Sequence, residues 1–395
     1  MKILFLSLSQ IRDIEECGIY TDLLRQFVRN GHDVRIVSPV PGMPSQDVPR
    51  DGYRLLRVQI PPMQKVSFIR KGIASLLFGP IIRSALQRYC HDERYDLILV
   101  ATPPITIAGT VEWLKRRDGA RVYLLLKDIW PQAIADLGAI SQTGPIYRYY
   151  RSREKKLYAL ADRIGCMSPA NVSYLLRHNP ELDSGQVEVC PNSIEPKQGE
   201  AVSPAERRVL REKYGIPLDK TVFLYGGNLG RPQGIPFLIE CLRRCAGMES
   251  AFFVICGEGT EYPKLKAYMD AEQPQNVLLL NGLPSAEYEV FAAACDVGLL
   301  FLDHRFTIPN FPSRLLSYQQ KAMPVIACTD PCTDVGDIVE GGGFGWKCSS
   351  DDTGAFARAV ERACGADRSA MGAASRAYLL AHYTAEQSYN IITGK

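Results

Sequence analysis

The chain has 395 residues, of which 46% are hydrophobic and 23% are charged. At about 100–200 residues per domain, this length predicts two domains. The composition is that of an ordinary globular protein, which excludes a disordered chain, a fibrous repeat and a multi-span membrane protein. The net charge of +3 is too close to neutral to indicate nucleic-acid binding, so no nucleic-acid partner is expected.

The N-terminal segment, residues 1–10, is predicted to contain a buried β-strand rather than a signal peptide. Its apolar run is too short for a signal peptide, and charged residues follow at once from Arg12. No window of the chain reaches the roughly 20 apolar residues that a membrane-spanning helix needs. We therefore expect a cytoplasmic protein.

The twelve cysteines are scattered from Cys17 to Cys364, and no C-x-x-C pair occurs. Zinc sites and redox motifs need closer pairs or neighbouring histidines. We expect free, buried thiols that act as small hydrophobic residues, with no metal site and no disulfides.

In the first half of the chain, short apolar runs alternate with helical patterns. The first strand is predicted at Lys2–Leu8, and a helix follows at Tyr20–Asn30, where apolar residues recur with the 3.6-residue period. Strands separated by helices favour right-handed parallel crossovers, so the predicted class is α/β with a doubly wound sheet. The further predicted strands are Val34–Val37, Tyr53–Val58, Asp96–Ala101, Arg121–Leu126, Arg163–Met167 and Gln186–Cys190.

A polar, turn-rich stretch at Pro191–Glu200 interrupts this pattern and is predicted to be a linker. We accordingly place the domain boundary between residues 195 and 196. The alternation then restarts, which predicts a second, similar domain and a ligand between the two. Its predicted strands are Thr221–Tyr225, Ala251–Cys256, Asn276–Leu280, Asp296–Phe301 and Pro324–Ala327, and its predicted helices are Gly234–Cys245, Tyr262–Glu272, Ser285–Ala294, Ser313–Ala322 and Asp352–Cys364.

Glycine-rich turns follow predicted strands at residues 16–20, 225–234 and 256–259. Such turns, where they lead into a helix, expose backbone N–H groups to which an anion can bind. None of the three matches the G-x-G-x-x-G or P-loop patterns. Each is therefore explained either as a phosphate site or as a tight turn.

Two charged residues stand where chemistry is expected. Arg314 lies in the first turn of a predicted helix, where a cation opposes the helix dipole unless an anion is bound there. The alternative is a solvent-exposed surface arginine. Asp128 directly follows a buried strand, at the carboxyl edge of the predicted sheet, and its alternative role is a helix N-cap.

Several motifs occur together in an order that resembles one family, the GT-B glycosyltransferases of family four. Within it, the chain is similar to the branch that builds bacterial O-antigen, capsule and other surface polysaccharides. The motifs are the glycine turn at Gly18, followed by Lys-Asp-Ile-Trp-Pro (127–131), Cys-Pro-Asn-Ser-Ile (190–194), Tyr-Gly-Gly-Asn-Leu-Gly-x-x-Gln-Gly (225–234), Cys-Gly-Glu-Gly (256–259), Phe-Pro-Ser-Arg-Leu-Leu-x-Tyr (311–318) and Pro-Val-Ile-Ala (324–327).

The resemblance implies two Rossmann-like domains that face a central cleft, and a retaining, metal-independent transfer of sugar from a nucleotide sugar, commonly a UDP-sugar. Residues 1–195 would form the acceptor-side domain and residues 196–372 the nucleotide-sugar domain. Residues 373–395 would form a helix that returns to the first domain. No cofactor is implied beyond the donor substrate itself.

The resemblance also assigns site residues. Gly18 would bring backbone amides near the donor, Asp128 would lie near the transferred sugar as a catalytic residue, and Ser317 would hold the ribose. Arg314 would act both in donor binding and in catalysis. The remaining donor-binding positions are Gly227, Asn228, Arg231, Gln233 and Ser313 for the diphosphate, with Gly257 and the backbone around Leu283 for the base.

Some positions depart from the family pattern. Its two glutamates would fall at Pro309 and Ser317, and its histidine before the aspartate is Lys127. Its basic phosphate pair would fall at Asn228 and Gln233, so the arginines must supply the positive charge.

The segment Lys65–Arg83 mixes basic and apolar residues. Such a segment either lies on an anionic membrane surface or forms a core helix with basic solvent-facing positions. The first interpretation suits a polyprenyl-diphosphate-linked acceptor at the inner membrane.

The sequence thus predicts transfer of a sugar, with N-acetylhexosamine as one candidate, from a UDP-sugar to a lipid-linked saccharide. The missing glutamates motivate an alternative, a GT-B subunit that binds nucleotide or a partner transferase without turnover. A UDP-sugar epimerase is disfavoured, because His304 is the only histidine near these motifs.

Overall fold

The computed structural model describes residues 1–63, 68–197 and 203–395. Two compact units divide the chain. The first contains Met1–Glu195 together with Ala385–Lys395, and the second contains Pro196–Thr384. Lys65 of the basic segment, and residues 198–200 of the expected linker, lie outside the described residues.

The described part of the first unit is built on one sheet, in which every neighbouring pair of strands is parallel except β3 with β4. The strand order is β3-β4-β2-β1-β5-β6-β7-β8. The strands are β1 (Lys2–Leu6), β2 (Asp33–Pro41), β3 (Gln46–Arg50), β4 (Tyr53–Ile60), β5 (Leu97–Ala101), β6 (Arg121–Leu126), β7 (Arg163–Cys166) and β8 (Val187–Val189).

Helices cover this sheet, and they fill the connections that parallel strands require. They are α1 (Ile19–Arg29), α2 (Phe68–Tyr89), α3 (Ala108–Asp118), α4 (Gln132–Asp136), α5 (Pro145–Leu160), α6 (Pro169–His178) and, after the second unit, α15 (Ala385–Thr393). Leu24 and Phe27 of α1 pack with Tyr389 of α15 against Phe5 and Leu99 of the sheet. The core on this face therefore joins the two ends of the chain.

The described part of the second unit has a fully parallel sheet with the order β11-β10-β9-β12-β13-β14. Its strands are β9 (Thr221–Gly226), β10 (Ala251–Cys256), β11 (Val277–Leu280), β12 (Val297–Phe301), β13 (Val325–Thr329) and β14 (Gly345–Ser349). Its helices are α7 (Pro204–Lys213), α8 (Ile235–Arg244), α9 (Tyr262–Glu272), α10 (Ser285–Ala292), α11 (Arg314–Gln320), α12 (Val335–Gly341), α13 (Thr353–Gly365) and α14 (Arg368–His382). The predicted α/β, doubly wound architecture is confirmed.

Some local predictions need correction. Strands β3 and β14 and, in the second unit, helices α7 and α12 were not predicted, and no bounds were predicted for α3 to α6 of the first unit. The single helix expected at residues 373–395 is two helices, α14 and α15, separated at Tyr383 and Thr384. The expected linker begins with buried residues, because Asn192 and Ser193 are 6% and 3% exposed.

The predicted burial of the cysteines is confirmed at nine of the twelve positions. All twelve lie among the described residues as free thiols, but Cys17 and Cys332 are exposed and Cys364 is half-buried. No helix of the described residues is both long and apolar enough to cross a bilayer.

Candidate functional site

The turn that leaves β9, residues 226–234, is shaped by glycines. Gly226 is buried, and a Cβ there would lie 1.8 Å from the Tyr288 hydroxyl. Gly227 has a φ of +119°, which side-chain-bearing residues rarely adopt. Its N–H donates to the Cys256 carbonyl at 2.9 Å. This turn therefore needs glycine at both positions.

A second turn, residues 257–259 after β10, packs directly against the first. A Cβ on Gly257 would lie 1.8 Å from the Gly227 carbonyl oxygen, and one on Gly259 would lie 2.2 Å from the Leu229 oxygen. The Leu229 N–H donates to the Glu258 carbonyl at 2.8 Å. The two turns approach so closely that backbone, rather than side chains, forms this part of the sheet edge.

The guanidinium of Arg314 faces the first turn. It stacks on the ring of Tyr225 at 4.3 Å from the centroid, and a Cβ on Gly227 would lie 3.7 Å from its Nη2. Its Nη1 is buried without a hydrogen-bond partner. Burial acts to lower the pKa of Arg314, and the neighbouring Tyr225, Tyr318 and Tyr288 act to raise it; the pKa lies above its ordinary value. No carboxylate is among these main influences. Arginine stays protonated in proteins, so a half-buried positive charge is held here, and no carboxylate of the described residues forms an ion pair with it.

Tyrosines around Arg314 were not singled out from the sequence. The Tyr318 hydroxyl accepts from the Gly226 N–H at 3.1 Å, and the carbonyl of Leu224 lies within hydrogen-bond distance of its O–H at 3.1 Å. Tyr318 stands four residues after Arg314, so the two share a helix face. That spacing could have predicted from the sequence that Tyr318 lies near Arg314. No sequence pattern predicts the contact with Tyr225, because its ring reaches Arg314 only in the folded structure.

Other predicted diphosphate residues are engaged within the first turn. The Gln233 Oε1 accepts from the Gly230 N–H at 3.1 Å and lies 3.4 Å from the Asn228 amide nitrogen. The Arg231 side chain is 65% exposed, and its Nε lies 3.9 Å from Glu261. Arg231 is therefore a solvent-facing charge, whereas Arg314 is a buried one.

The remaining predicted positions of the second unit lie at the same sheet edge. Ser313 is exposed and precedes α11 without a side-chain cap bond. The Ser317 hydroxyl oxygen is buried and has no hydrogen-bond partner. Leu283 is half-buried between β11 and α10. The donor roles of these residues stay predictions.

In the first unit, Asp128 follows β6 at the carboxyl edge. Its side chain is reached by solvent, while desolvation by surrounding protein raises its pKa to about 6. Its charge also acts on Tyr20, at the start of α1, and together with burial raises the pKa of that phenol. Asp128 does not serve as the N-cap of α4, since Pro131 holds that position. Gly18 lies at the N-terminus of α1, but its own N–H donates to Asp22 at 3.1 Å.

A small pocket lies beside Asp128, and we call it the Lys127 pocket. Its polar wall includes the side chains of Lys127, Asn192, Ser193 and Ser388. The full lining is Ile19, Tyr20, Leu23, Leu125, Lys127, Cys190, Pro191, Asn192, Ser193 and Ser388. All of these belong to the first unit. Sequence reasoning noted Lys127 only as a departure and missed Asn192, which it placed in a linker.

Family models match both units. Residues 19–193 match the glycosyl transferase 4-like domain, and residues 206–377 match the glycosyl transferases group 1 domain. The chain belongs to the GT-B glycosyltransferases of family four. The resemblance seen in the motifs, including the surface-polysaccharide branch, is confirmed.

Individual proteins agree with this assignment. The glycosyltransferase is 25% identical over 328 residues to WbjE of Pseudomonas aeruginosa, named as a glycosyltransferase, with 82% of this chain and 80% of WbjE covered. It is 23% identical to WcaI of Escherichia coli, named for colanic acid biosynthesis, with 86% of each chain covered. The structure of Anabaena HepE in complex with UDP-glucose is similar over 100% of this chain and 98% of its own, with a TM-score of 0.70 and 15% identity.

The close approach of the two glycine turns can be tested by adding single methyl groups. Gly257→Ala places its Cβ against backbone that cannot move aside, so we expect the variant to lose about 1–3 kcal/mol or more of unfolding free energy. Gly247→Ala is the matched control, because a Cβ there meets nothing within 4 Å. Urea denaturation of both variants measures the difference. Equal stability of the two would contradict the packing described.

Proposed function

We propose that this glycosyltransferase is a retaining, metal-independent enzyme. It transfers a sugar of the hexose or N-acetylhexosamine class from a UDP-sugar to a polyprenyl-diphosphate-linked saccharide. The observation that carries the proposal is the Arg314 guanidinium, which is buried against Tyr225 with Nη1 unpaired.

Loss of a nucleoside diphosphate leaves negative charge on its phosphate oxygens, and that charge must be stabilised as the sugar departs. A fixed guanidinium supplies two parallel donors to such an anion. Because the Arg314 side chain is already desolvated and stacked on Tyr225, ordering it costs little free energy when the negative charge develops. The proposal therefore gives Arg314 the part that a metal ion has in other diphosphate-transfer enzymes. HepE, whose structure contains UDP-glucose, supports UDP as the nucleotide.

The buried Ser317 hydroxyl lies one turn along α11 from Arg314 and lacks a partner. A ribose hydroxyl would satisfy it, although a serine reaches less far than the glutamate of the family. We assign Gly227, Asn228, Gln233 and Ser313 to the diphosphate, with the exposed Arg231 as a weaker contributor.

Asp128 is assigned to the reacting sugar. Its raised pKa places its change of charge near pH 6, and it is open to solvent at the carboxyl edge of the first sheet. A carboxylate in this position stabilises positive charge that develops on the sugar ring during transfer. That role requires the deprotonated form.

Helix α2 supports a membrane-bound acceptor. Ile73, Leu76 and Leu77 are 53%, 47% and 44% exposed. With the exposed Pro80 they form one stripe, because residues three and four apart share a helix face. Arg70 and Arg83 are exposed at its two ends. A basic, apolar surface suits an anionic bilayer, so we place the enzyme on the cytoplasmic face of the inner membrane.

For Arg314, we expect Arg314→Ala to weaken UDP binding by tenfold or more, because the buried charge that pairs with the diphosphate is removed. Arg243→Ala, on an exposed arginine of α8, serves as control and should leave the affinity unchanged. Isothermal titration calorimetry with UDP measures both. Unchanged affinity in Arg314→Ala would remove the residue from the donor site. UDP binding without transfer from any nucleotide sugar would instead favour the subunit without turnover.

For Asp128, we expect the transfer rate to fall as the pH drops through about 6, because protonation removes the negative charge. Asp128→Asn should reduce kcat by about 100-fold or more and abolish this acid limb, while UDP affinity stays similar. Asp92→Asn, at an exposed aspartate, is the control. Full turnover in Asp128→Asn, with the acid limb intact, would rule out the catalytic role.

For the membrane contact, we expect the triple change of Ile73, Leu76 and Leu77 to serine to reduce binding to vesicles of phosphatidylglycerol and phosphatidylcholine by tenfold or more. Val209, Leu218 and Leu380 are similarly exposed residues of the second unit, and their triple change to serine is the matched control. Co-sedimentation measures both. Equal binding of the two variants would locate the membrane contact elsewhere.

A further inference from the structure

The Lys127 pocket contains a positive charge that the described residues do not neutralise. Burial lowers the pKa of Lys127, and the groups that act against this are the thiols of Cys190 and Cys166, with no carboxylate among them. Its Nζ makes one long contact, 3.4 Å from the Cys190 carbonyl oxygen. An ammonium has three donors, so most of its hydrogen-bonding capacity is left for a ligand.

Asn192 gives the second observation. Asn192 lines the same pocket, the residue is only 6% exposed, and its Oδ1 is buried without a hydrogen-bond partner. An unpaired buried amide oxygen costs free energy unless a donor reaches it. The lining of one pocket therefore includes a cation with spare donors and an amide oxygen with no partner.

The start of α1 adds to the positive potential. Ile19 and Tyr20 of its first turn line the pocket, and at this end the Gly18 N–H donates to Asp22. The helix has one acidic residue in its first turn, Asp22, but that carboxylate is paired with Arg25 at 2.5 Å. Two further carboxyl groups act on residues of the pocket wall: Asp128 on Tyr20 and Glu188 on Cys190. Neither forms an ion pair with Lys127 among the described residues.

We infer that the Lys127 pocket takes a carboxylate carried by a sugar substrate, so that this enzyme acts on a uronic-acid-type sugar. Lys127 donates to the carboxylate, and the Asn192 Oδ1 accepts from a neighbouring sugar hydroxyl. The inference rests on the proposed function, since it names the sugar class used at that site. The acidic sugar is either the one transferred or the terminal one of the acceptor.

A neutral sugar fits these groups less well. A hydroxyl would give the desolvated ammonium a hydrogen bond but no countercharge, and buried charges are stabilised mainly when they are paired. The pocket has little free space of its own, but it opens to solvent and Lys127 is only half-buried. A carboxylate can therefore meet the ammonium at the mouth of the pocket, from the solvent side.

The first experiment uses free glucuronate and glucose as probes, because they differ in the carboxylate and need no turnover. Saturation-transfer NMR on the full-length protein should show glucuronate binding at least tenfold tighter than glucose. Lys127→Met should remove that preference, and Lys127→Arg should retain it. Lys266→Met, at an exposed lysine of the second unit, is the control. Circular dichroism confirms that each variant is folded.

Equal binding of the two probes to the wild-type protein, or the same preference in Lys127→Met, would overturn the inference and leave a water molecule as the occupant.

The second experiment identifies the source of the carboxylate. Transfer rates are compared for UDP-glucuronate against UDP-glucose, and for acceptors that end in glucuronate against glucose. We expect faster transfer with glucuronate than with glucose in one of these two comparisons, and Lys127→Met should remove the difference. A difference between the donors identifies the transferred sugar as the acidic one, and a difference between the acceptors identifies the terminal sugar of the acceptor. Absence of transfer from every UDP-sugar would count against the proposed function alone, because the probe experiment does not depend on turnover.

Discussion

Parallel pairing of strands is the constraint on which the rest of this structure depends. Parallel neighbours cannot be joined by a short hairpin, so each connection returns over a face of the sheet, usually as a helix. The carboxyl ends of all the strands except β3 then fall on one edge of each sheet. Gly18, Asp128 and Asn192 reach that edge of the first sheet, and Gly227 and Gly257 reach it in the second. Residues far apart in the chain become neighbours for this reason.

At the edge of the second sheet, backbone packing decides which groups are available. Gly227 and Gly257 bring two turns into contact that any side chain would separate. The space next to them is filled by aromatic rings, on one of which Arg314 is stacked. The sequence left these glycines open to two interpretations, a phosphate site or a tight turn, and the structure shows that packing requires them. The charge that would bind the phosphate comes from a different helix.

The near-neutral net charge of the chain conceals two half-buried cations of different character. Arg314 lies among tyrosines in the second unit, and Lys127 lies among thiols and amides in the first. Neither forms an ion pair with a carboxylate among the described residues. Burying a charge in this way costs free energy, and binding of an anion to either would recover part of it. In the function and the further inference that we propose, each cation binds the anionic group of a different substrate.

The sequence by itself determined the α/β class, most of the strands and the family. Buried parallel strands are continuous apolar runs, and these can be recognised without any tertiary contact. Strands β3 and β14 were not predicted from the sequence, because they lie at sheet edges and carry polar residues instead of a continuous apolar run. Each is paired on one side only. The tertiary structure alone decided the surroundings of Arg314 and Lys127. Asn192 is separated from Lys127 by more than sixty residues of sequence, and local periodicity contains no information about a contact formed only when the strands pair.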